Sequence, residues 1–305
     1  MSDIGGAPAF LACDWGSTHL RAWVMDAEGA VLRGRDFPLG VNRLAPGEAE
    51  RRFFDEVRPA LEAEVLPALL CGAIGSNVGW TVVPYVDCPA SLEAVAAGLA
   101  AAAPAVWIAP GLRCEGLGGQ CDVLRGEETK AFGWLGLDAA RRNGRRLICE
   151  PGTHAKWLVA QDGAIVRFLS AFTGELFAVL SQHSILRNDG TADDLAAFDE
   201  GLAGAAEGDA LLNRIYTART RVAGGGADGA STGAYLSGLL IGAEVAATPR
   251  LLGAEGETVE LVGNAGLCAR YARALAKRGV ASQVSDGDAA VRAGLLALAR
   301  LAGLA

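Results

Sequence analysis

No two of the seven cysteines (13, 71, 88, 114, 121, 149 and 268) stand at CxxC spacing. That excludes a thioredoxin-type redox pair, and the odd count argues against a disulfide framework. Several lie in apolar runs (LAC, LLC, LIC), so buried, reduced thiols of a cytoplasmic protein are the expectation. The three histidines, at 19, 154 and 183, are too scattered for a zinc motif. No GxxxxGK[ST] loop is present, and Ser17 is followed by Thr18 and His19 rather than completing a GxSxG elbow. Positive charge is also lacking: the net charge of −8 leaves no basic stripe for nucleic acid or an anionic membrane. No charged leader with an apolar segment opens the chain. No apolar run reaches membrane-spanning length, since LLIGAEVAA near residue 240 is short and carries Glu244.

What is present is a chain of 305 residues with 51% apolar and 20% charged residues, the balance of a well-buried globular protein. Its length admits two domains or one large α/β domain. Glycine is abundant at 41 residues, as in chains with many tight loops near ligands.

Along the chain, FLACDW (10–15) reads as a buried strand, HLRAWVMD (19–26) alternates with period two, and AVLRGRDF returns after the DAEG turn. The first forty residues thus predict an antiparallel meander. A helix is expected over 48–65, interrupted at Pro59. PALLCGAIGS predicts a strand ending in a glycine loop, SLEAVAAGLAAAA (91–103) a helix capped by Ser91, and AVWIAPG (105–111) another strand. The meander then recurs as RLICEPG, AKWLVAQDG and AIVRFLSAFTG (146–174), followed by the helical ELFAVLSQHSILR. The charged stretch DAARRNGRR (138–146) divides two domains, 1–140 and 141–305, that share this duplicated α/β unit. Later come a loop at 224–231, a helix over 231–247 with Ser231 as N-cap, a strand–turn–helix over 258–279 and a closing helix. Residues 224–229 formally fit GxGxxG, but no buried strand leads into them.

The duplication is sharpest in two loops. LACDWGSTH (11–19) and LICEPGTHA (147–155) each carry an apolar run, an acidic residue, a spacer, Gly and a hydroxyl residue. Asp14 matches Glu150, Gly16 matches Gly152, and Ser17 matches Thr153. Glycine turns expose backbone N–H groups to anionic oxygens, a hydroxyl adds a donor, and a carboxylate reaches Mg²⁺ directly or through water. Either loop alone also fits an ordinary hairpin turn. Two facing loops suit a clamp on a nucleotide's phosphates. A third element, VELVGNAGL (259–267), leads a strand into Gly263-Asn264-Ala265-Gly266 and a helix, a routine βα turn or a place for adenosine.

In this order on a duplicated domain, the three motifs resemble the sugar kinase, Hsp70 and actin superfamily. DWGSTHLRAW, GAIGSNVGW with VPYVDCPA, DVLRGEETK, PGTHAKW, FTGELFAVL with HSIL, and YLSGLLIGAE together resemble the 2-dehydro-3-deoxygalactonokinase family, from residue 11 to about 300. The resemblance implies two RNase H-like domains of the actin-like ATPase kind, with a nucleotide cleft between them that closes on its substrates. The first would hold the sugar and one phosphate loop; the second would hold the other phosphate loop and the adenosine. It implies transfer of phosphate from ATP, with Mg²⁺, to the 6-hydroxyl of 2-dehydro-3-deoxy-D-galactonate in galactonate catabolism. A kinase for another keto-deoxy acid, such as the gluconate epimer, and a non-catalytic ATP-binding regulator stay open, as does a homo-oligomer.

Under that resemblance Asp14 holds Mg²⁺ or its water, Gly16, Ser17 and Thr18 hold phosphates, and Gly152, Thr153 and His154 form the opposing clamp. Gly263, Asn264 and Gly266 flank the adenosine. Arg21 and Lys156 leave these loops on strands whose alternation turns either toward or away from the site. Distant sugar kinases place an acidic base before the helix preceding the second phosphate loop, and RGEETKAFGWL (125–135) holds that place. Glu127 is taken as the base with Glu128 second, although either also suits a helix N-terminus. A substrate carboxylate calls for a forked cation, for which Arg113 and Arg125 are candidates. Ser76, Asn77, Gly79 and Trp80 form a loop placed to meet the sugar; many family members have Arg at the place of Asn77, which removes a cation there. Trp80 and Tyr85 wall a pocket or belong to the core. Glu175 binds a sugar hydroxyl or starts a helix.

Overall fold

The computed structural model describes residues 6–187, 193–205 and 210–305. The chain divides into two compact units. The first takes the residues up to Arg145, together with Ala160–Arg167 and Gly287–Ala305; the second takes Arg146–Val159 and Phe168–Asp286.

In the first unit β1 (Phe10–Trp15), β2 (Leu20–Met25) and β3 (Val31–Phe37) form the expected antiparallel meander. β4 (Ala68–Cys71) lies parallel to β1. β5 (Val86–Asp87) leaves this sheet, while β6 (Ala100–Ala103) and β7 (Val106–Ile108) extend it to the order β3-β2-β1-β4-β7-β6. β1 and β4 are central and covered on both faces, which is why they read as near-continuous apolar runs. A separate small sheet, which the sequence patterns did not reveal, joins β5 to β8 (Leu112–Glu115) and β9 (Cys121–Leu124).

The second sheet contains β10 (Arg145–Glu150), β11 (Ala155–Gln161), β12 (Ala164–Ala171), β13 (Val259–Gly263) and β14 (Ser282–Asp286), in the order β12-β11-β10-β13-β14. This repeats β3-β2-β1-β4-β7 strand for strand, with β10, β13 and β14 parallel as β1, β4 and β7 are. The echo of two short loops therefore belongs to a duplication of the whole five-strand plan.

Three local expectations are corrected. The helix from residue 48 ends at Ala60, not 65, and its irregularity precedes Pro59: residues Phe53–Val57 widen into a π turn. Pro59 has no N–H and crowds the carbonyl four residues back, and the wider turn accommodates both. The expected helix over 91–103 stops at Ala97, with Ser91 Oγ accepting from Ala94 N at 3.3 Å as its cap. Ala100–Ala103 instead forms strand β6, because pairing with β7 at the sheet edge overrides alanine's helical preference. Ser231 flanks the helix Thr232–Leu251 but makes no capping bond to it.

The helix Glu127–Gly136 packs against Gly287–Leu301 at a close crossing. A Cβ on Gly133 would lie 1.9 Å from the carbonyl oxygen of Ala290, and one on Gly294 would lie 1.9 Å from that of Thr129. Only glycine permits this approach, and it fixes where the helix carrying Glu127 and Glu128 begins. Among the described residues, no helix is long and apolar enough to cross a membrane.

Candidate active site

Asp14 is the last residue but one of the central strand β1, with Arg21 directly opposite on β2. Side chains in such register share a face. Arg21 Nη2 donates to Asp14 Oδ2 and Nη1 donates to Asp288 Oδ1, which settles the direction of Arg21 toward this carboxylate pair. Beyond Asp14 the chain turns sharply, with Gly16 N donating to His19 O at 3.0 Å. The carbonyls of Gly16 and Ser17 accept from Val41 N and Asn42 N, each at 3.1 Å. Those carbonyls are thus tied down, while the N–H groups of Ser17 and Thr18 donate to nothing among the described residues. Such a set of free donors at a turn is an anion cradle. The loop rests on Gly40, where a Cβ would lie 2.1 Å from the Thr18 carbonyl carbon.

The second loop repeats the arrangement. Thr153 O accepts from Glu175 N at 2.8 Å, and the loop rests on Gly174, where a Cβ would lie 2.3 Å from Gly152 O. The N–H groups of Gly152 and Thr153 are likewise unpaired among the described residues. The copies diverge at the acidic position: Glu150 is 2% exposed, whereas the Asp14 side chain is 18% exposed. Only the first loop presents its carboxylate. His154 is exposed, stacks on Phe172 with ring centroids 5.4 Å apart, and shares a hydrogen bond with the Glu175 carboxylate. Glu175 sits in the first turn of the helix Thr173–His183, so it serves this loop locally. Lys156 turns inward, where its Nζ donates to Ser170 Oγ at 2.9 Å.

The Gly263–Gly266 turn packs beside the second loop, since a Cβ on Gly263 would contact Pro151 O at 3.6 Å. Asn264 caps the helix Ala265–Lys277, its Oδ1 accepting from Leu267 N at 3.2 Å. Next to this turn opens a mostly apolar cavity of about 150 Å³ that Gly152 of the second loop also lines. Its other walls include Thr173, Ser237, Leu240, Leu267, Arg270 and Tyr271. Sequence reasoning missed these residues. Ser237, Leu240 and Ile241 at one-face helical spacing were the local signal, but three separate helices complete the cavity.

Glu127 and Glu128 open the helix Glu127–Gly136 directly after Gly126, whose φ of 105° only glycine adopts readily. Gly126 also abuts Gly72, itself at φ 96°, just beyond β4; a Cβ on Gly126 would lie 2.9 Å from the Gly72 Cα. A Cβ on Gly72 would in turn lie 3.4 Å from Asp14 Oδ1, so this helix start stands close to the first loop. The two glutamates differ sharply. Glu128 is fully buried, its Oε2 accepting from Gly126 N at 2.6 Å and its Oε1 from Thr129 Oγ1 at 2.8 Å. Burial pushes its carboxyl up to about 7, aided by the neighbouring Glu127 carboxylate and opposed by those hydrogen bonds. Glu127 is half-buried, uses Oε2 to accept from Arg125 N at 3.0 Å, and leaves Oε1 without a hydrogen bond among the described residues.

The remaining candidates separate by partner. Arg113 is exposed and already forks onto Asp87. Arg125 lies over the Tyr85 ring, 4.3 Å from its centroid, and Nη2 donates to Val83 O at 2.7 Å, while Nε and Nη1 are buried without partners. Ser76, Asn77 and Gly79 form a tight turn, with Gly79 N donating to Ser76 O at 3.0 Å and Asn77 exposed. Trp80 is half-buried against Phe53, with centroids 5.4 Å apart, and so packs on the core.

Comparison with known proteins agrees with this architecture. The family model for 2-keto-3-deoxy-galactonokinase matches residues 14–298. The chain is 35% identical to the 2-dehydro-3-deoxygalactonokinase of Escherichia coli K12 over 295 residues, covering 95% of this chain and 97% of that protein. It is also similar to a crystal structure of a Sinorhizobium meliloti protein assigned to the same kinase activity. There the TM-score is 0.83 at 34% identity, covering 95% of this chain and 98% of the other. A likeness of fold alone extends to the Acidaminococcus fermentans (R)-2-hydroxyglutaryl-CoA dehydratase component A, with TM-score 0.50 at 12% identity over 96% of this chain and 98% of that one.

Proposed function

The chain belongs to the 2-keto-3-deoxy-galactonokinase family, and on that premise we propose how its own residues perform the transfer. The protein is a kinase of galactonate catabolism, with ATP as phosphate donor and 2-dehydro-3-deoxygalactonate, the same compound under its other name, as acceptor. The acceptor atom we assign is the terminal 6-hydroxyl. As that oxygen bonds to the γ-phosphorus, the bond from phosphorus to the leaving ADP oxygen breaks and the hydroxyl proton must go to a base.

Glu127 is our choice for that base. It stands at a helix start with one oxygen unengaged, whereas both oxygens of Glu128 are held inside the protein. General bases of this kind contribute about 10²–10⁴-fold in rate. Glu128 instead fixes the helix start through Gly126 and Thr129. The unpaired N–H groups of Ser17, Thr18, Gly152 and Thr153, with their hydroxyls and His154, receive phosphate oxygens. The cavity beside Gly263, Asn264 and Gly266 takes the nucleoside. Ser76, Asn77, Trp80 and Tyr85 bound the sugar, and Glu175 orients His154. Arg125, with two nitrogens lacking acceptors, takes the sugar acid's carboxylate in preference to Arg113.

The donor set fits Mg²⁺ rather than a metal caged by protein alone. Among the described residues no three metal-ligating side chains cluster; Asp14, partly exposed and paired with Arg21 through Oδ2, has Oδ1 to offer a metal. Mg²⁺ characteristically binds one or two carboxylates, several waters and substrate phosphates. Bound through Asp14, it would neutralise the charge that builds on the transferring phosphate.

The observation that carries this reading is the pair of glycine-backed loops with unpaired N–H groups in a chain of this family. A panel of keto-deoxy sugar acids tests it. ADP release should be slow with ATP and Mg²⁺ alone and should rise steeply with 2-dehydro-3-deoxygalactonate, and phosphorus NMR of the product should show coupling to the C6 protons. No stimulation by any acid in the panel would overturn it.

A further inference from the structure

The second unit holds a buried carboxylate that the proposed chemistry does not use. Glu244, on the helix Thr232–Leu251, is 7% exposed. It accepts from Trp157 Nε1 at 2.6 Å and from Tyr271 Oη at 2.8 Å, and the neighbouring Thr173 hydroxyl favours its charged form. A carboxylate has about four lone-pair sites, so it holds both donors and still faces the Thr173 hydroxyl, which neither a leucine nor a single amide oxygen does.

The identity of those donors matters. Tyr271 and Thr173 both line the cavity assigned to the nucleoside. Thr173 also precedes Gly174, on which the second phosphate loop rests, and Trp157 lies on β11, the strand leaving that loop. One side chain on a fourth element thereby ties together the cavity wall, the support of the phosphate loop and the strand that follows it. A carboxylate used only to hold the core together has no reason to choose two cavity-lining hydroxyls.

We propose that Glu244 is a positioning residue for the nucleotide, holding Tyr271 and Thr173 in the orientation that ATP requires without itself touching it. The inference rests on the nucleoside reading of the cavity. It goes beyond that reading by making nucleotide affinity depend on a residue behind the wall.

The test uses the full-length enzyme with Glu244→Gln, Tyr271→Phe, the double variant and Ser237→Trp, which fills the cavity. Steady-state kinetics and calorimetric titration with ADP supply the readouts. Glu244→Gln should raise the KM for ATP and the Kd for ADP about tenfold, with kcat and the KM for the sugar acid changed less than twofold. Tyr271→Phe should do the same, and the double variant should be no worse than Glu244→Gln alone, because the link that Tyr271→Phe removes is already broken there. A lower melting temperature with unchanged ADP affinity in both single variants would overturn the proposal, and so would equal rises in both KM values. Should Glu244→Gln fail to fold, Tyr271→Phe decides alone. Ser237→Trp separates the two levels: normal ADP binding there sinks the nucleoside reading itself. Lost ADP binding in Ser237→Trp beside normal binding in the other variants sinks only the role of Glu244.

Discussion

Gly40 and Gly174 occupy the same place in the two copies of the repeat. Each follows the last residue of its meander's third strand, Phe37 or Ala171, by three positions, and each lies directly under the hydroxyl loop of its own unit. A Cβ would stand 2.1 Å from Thr18 in one case and 2.3 Å from Gly152 O in the other. Both contacts are with backbone, so no side chain can swing away to relieve them. Gly40→Ala and Gly174→Ala should therefore displace the loops they support. Each should lower kcat/KM for ATP by at least about tenfold, a loss near 1.4 kcal/mol of transition-state binding, while circular dichroism stays that of the folded protein. Unchanged ATP kinetics in both variants would show that neither loop holds phosphate.

Glu127→Gln keeps size and the bond from Arg125 N but removes proton-accepting ability. Its kcat should fall by about 10²-fold or more, within the usual range for a general base, with ADP affinity intact. Near-normal turnover would exclude Glu127.

How far these residues were legible in the sequence follows from the range of the interactions that place them. The central strands announced themselves because double-sided burial leaves a continuous apolar run, as in FLACDW and RLICE. The twin loops were legible because acid, Gly and hydroxyl lie within five residues of one another. Ala100–Ala103 was not, since its strand state comes from pairing with β7 rather than from its own residues. The cavity beside Gly263–Gly266 was illegible for a similar reason: Thr173, Ser237 and Arg270 meet only after three helices have packed. The order of Glu127 before Glu128 was set in the sequence by position alone; its physical ground, that Glu128 turns inward onto Gly126 and Thr129, needed the packed structure.

The two arginine candidates should separate cleanly by kinetics. Arg125→Lys keeps the charge but loses the fork, and should raise the KM for the sugar acid about tenfold, with the KM for ATP unchanged. Arg113→Ala breaks only an exposed pair with Asp87 and should change neither constant by more than twofold. The reverse pattern would move the carboxylate contact to Arg113.

Glu128 also gives the protein a pH signature. Its carboxyl titrates near 7 in the folded state against a reference value of 4.5, because burial disfavours the charged form. A raised carboxyl pKa means the folded protein holds the proton more tightly than the unfolded chain does. The associated stability is fully present below about pH 4.5 and is lost as pH rises through about 7, to the extent of roughly 3 kcal/mol. Other carboxylates act in the opposite sense: Asp199, held down to about 2 by Arg273 and Lys277, contributes stability that is lost on acidification toward pH 2. The difference between wild type and Glu128→Gln isolates the single group, since Gln cannot ionise. Denaturant unfolding from pH 5 to 8 should show wild type losing stability relative to Glu128→Gln as pH rises, with the change centred between the two pKa values and complete by about pH 8. Parallel pH profiles would mean that Glu128 stays ionised in the folded protein.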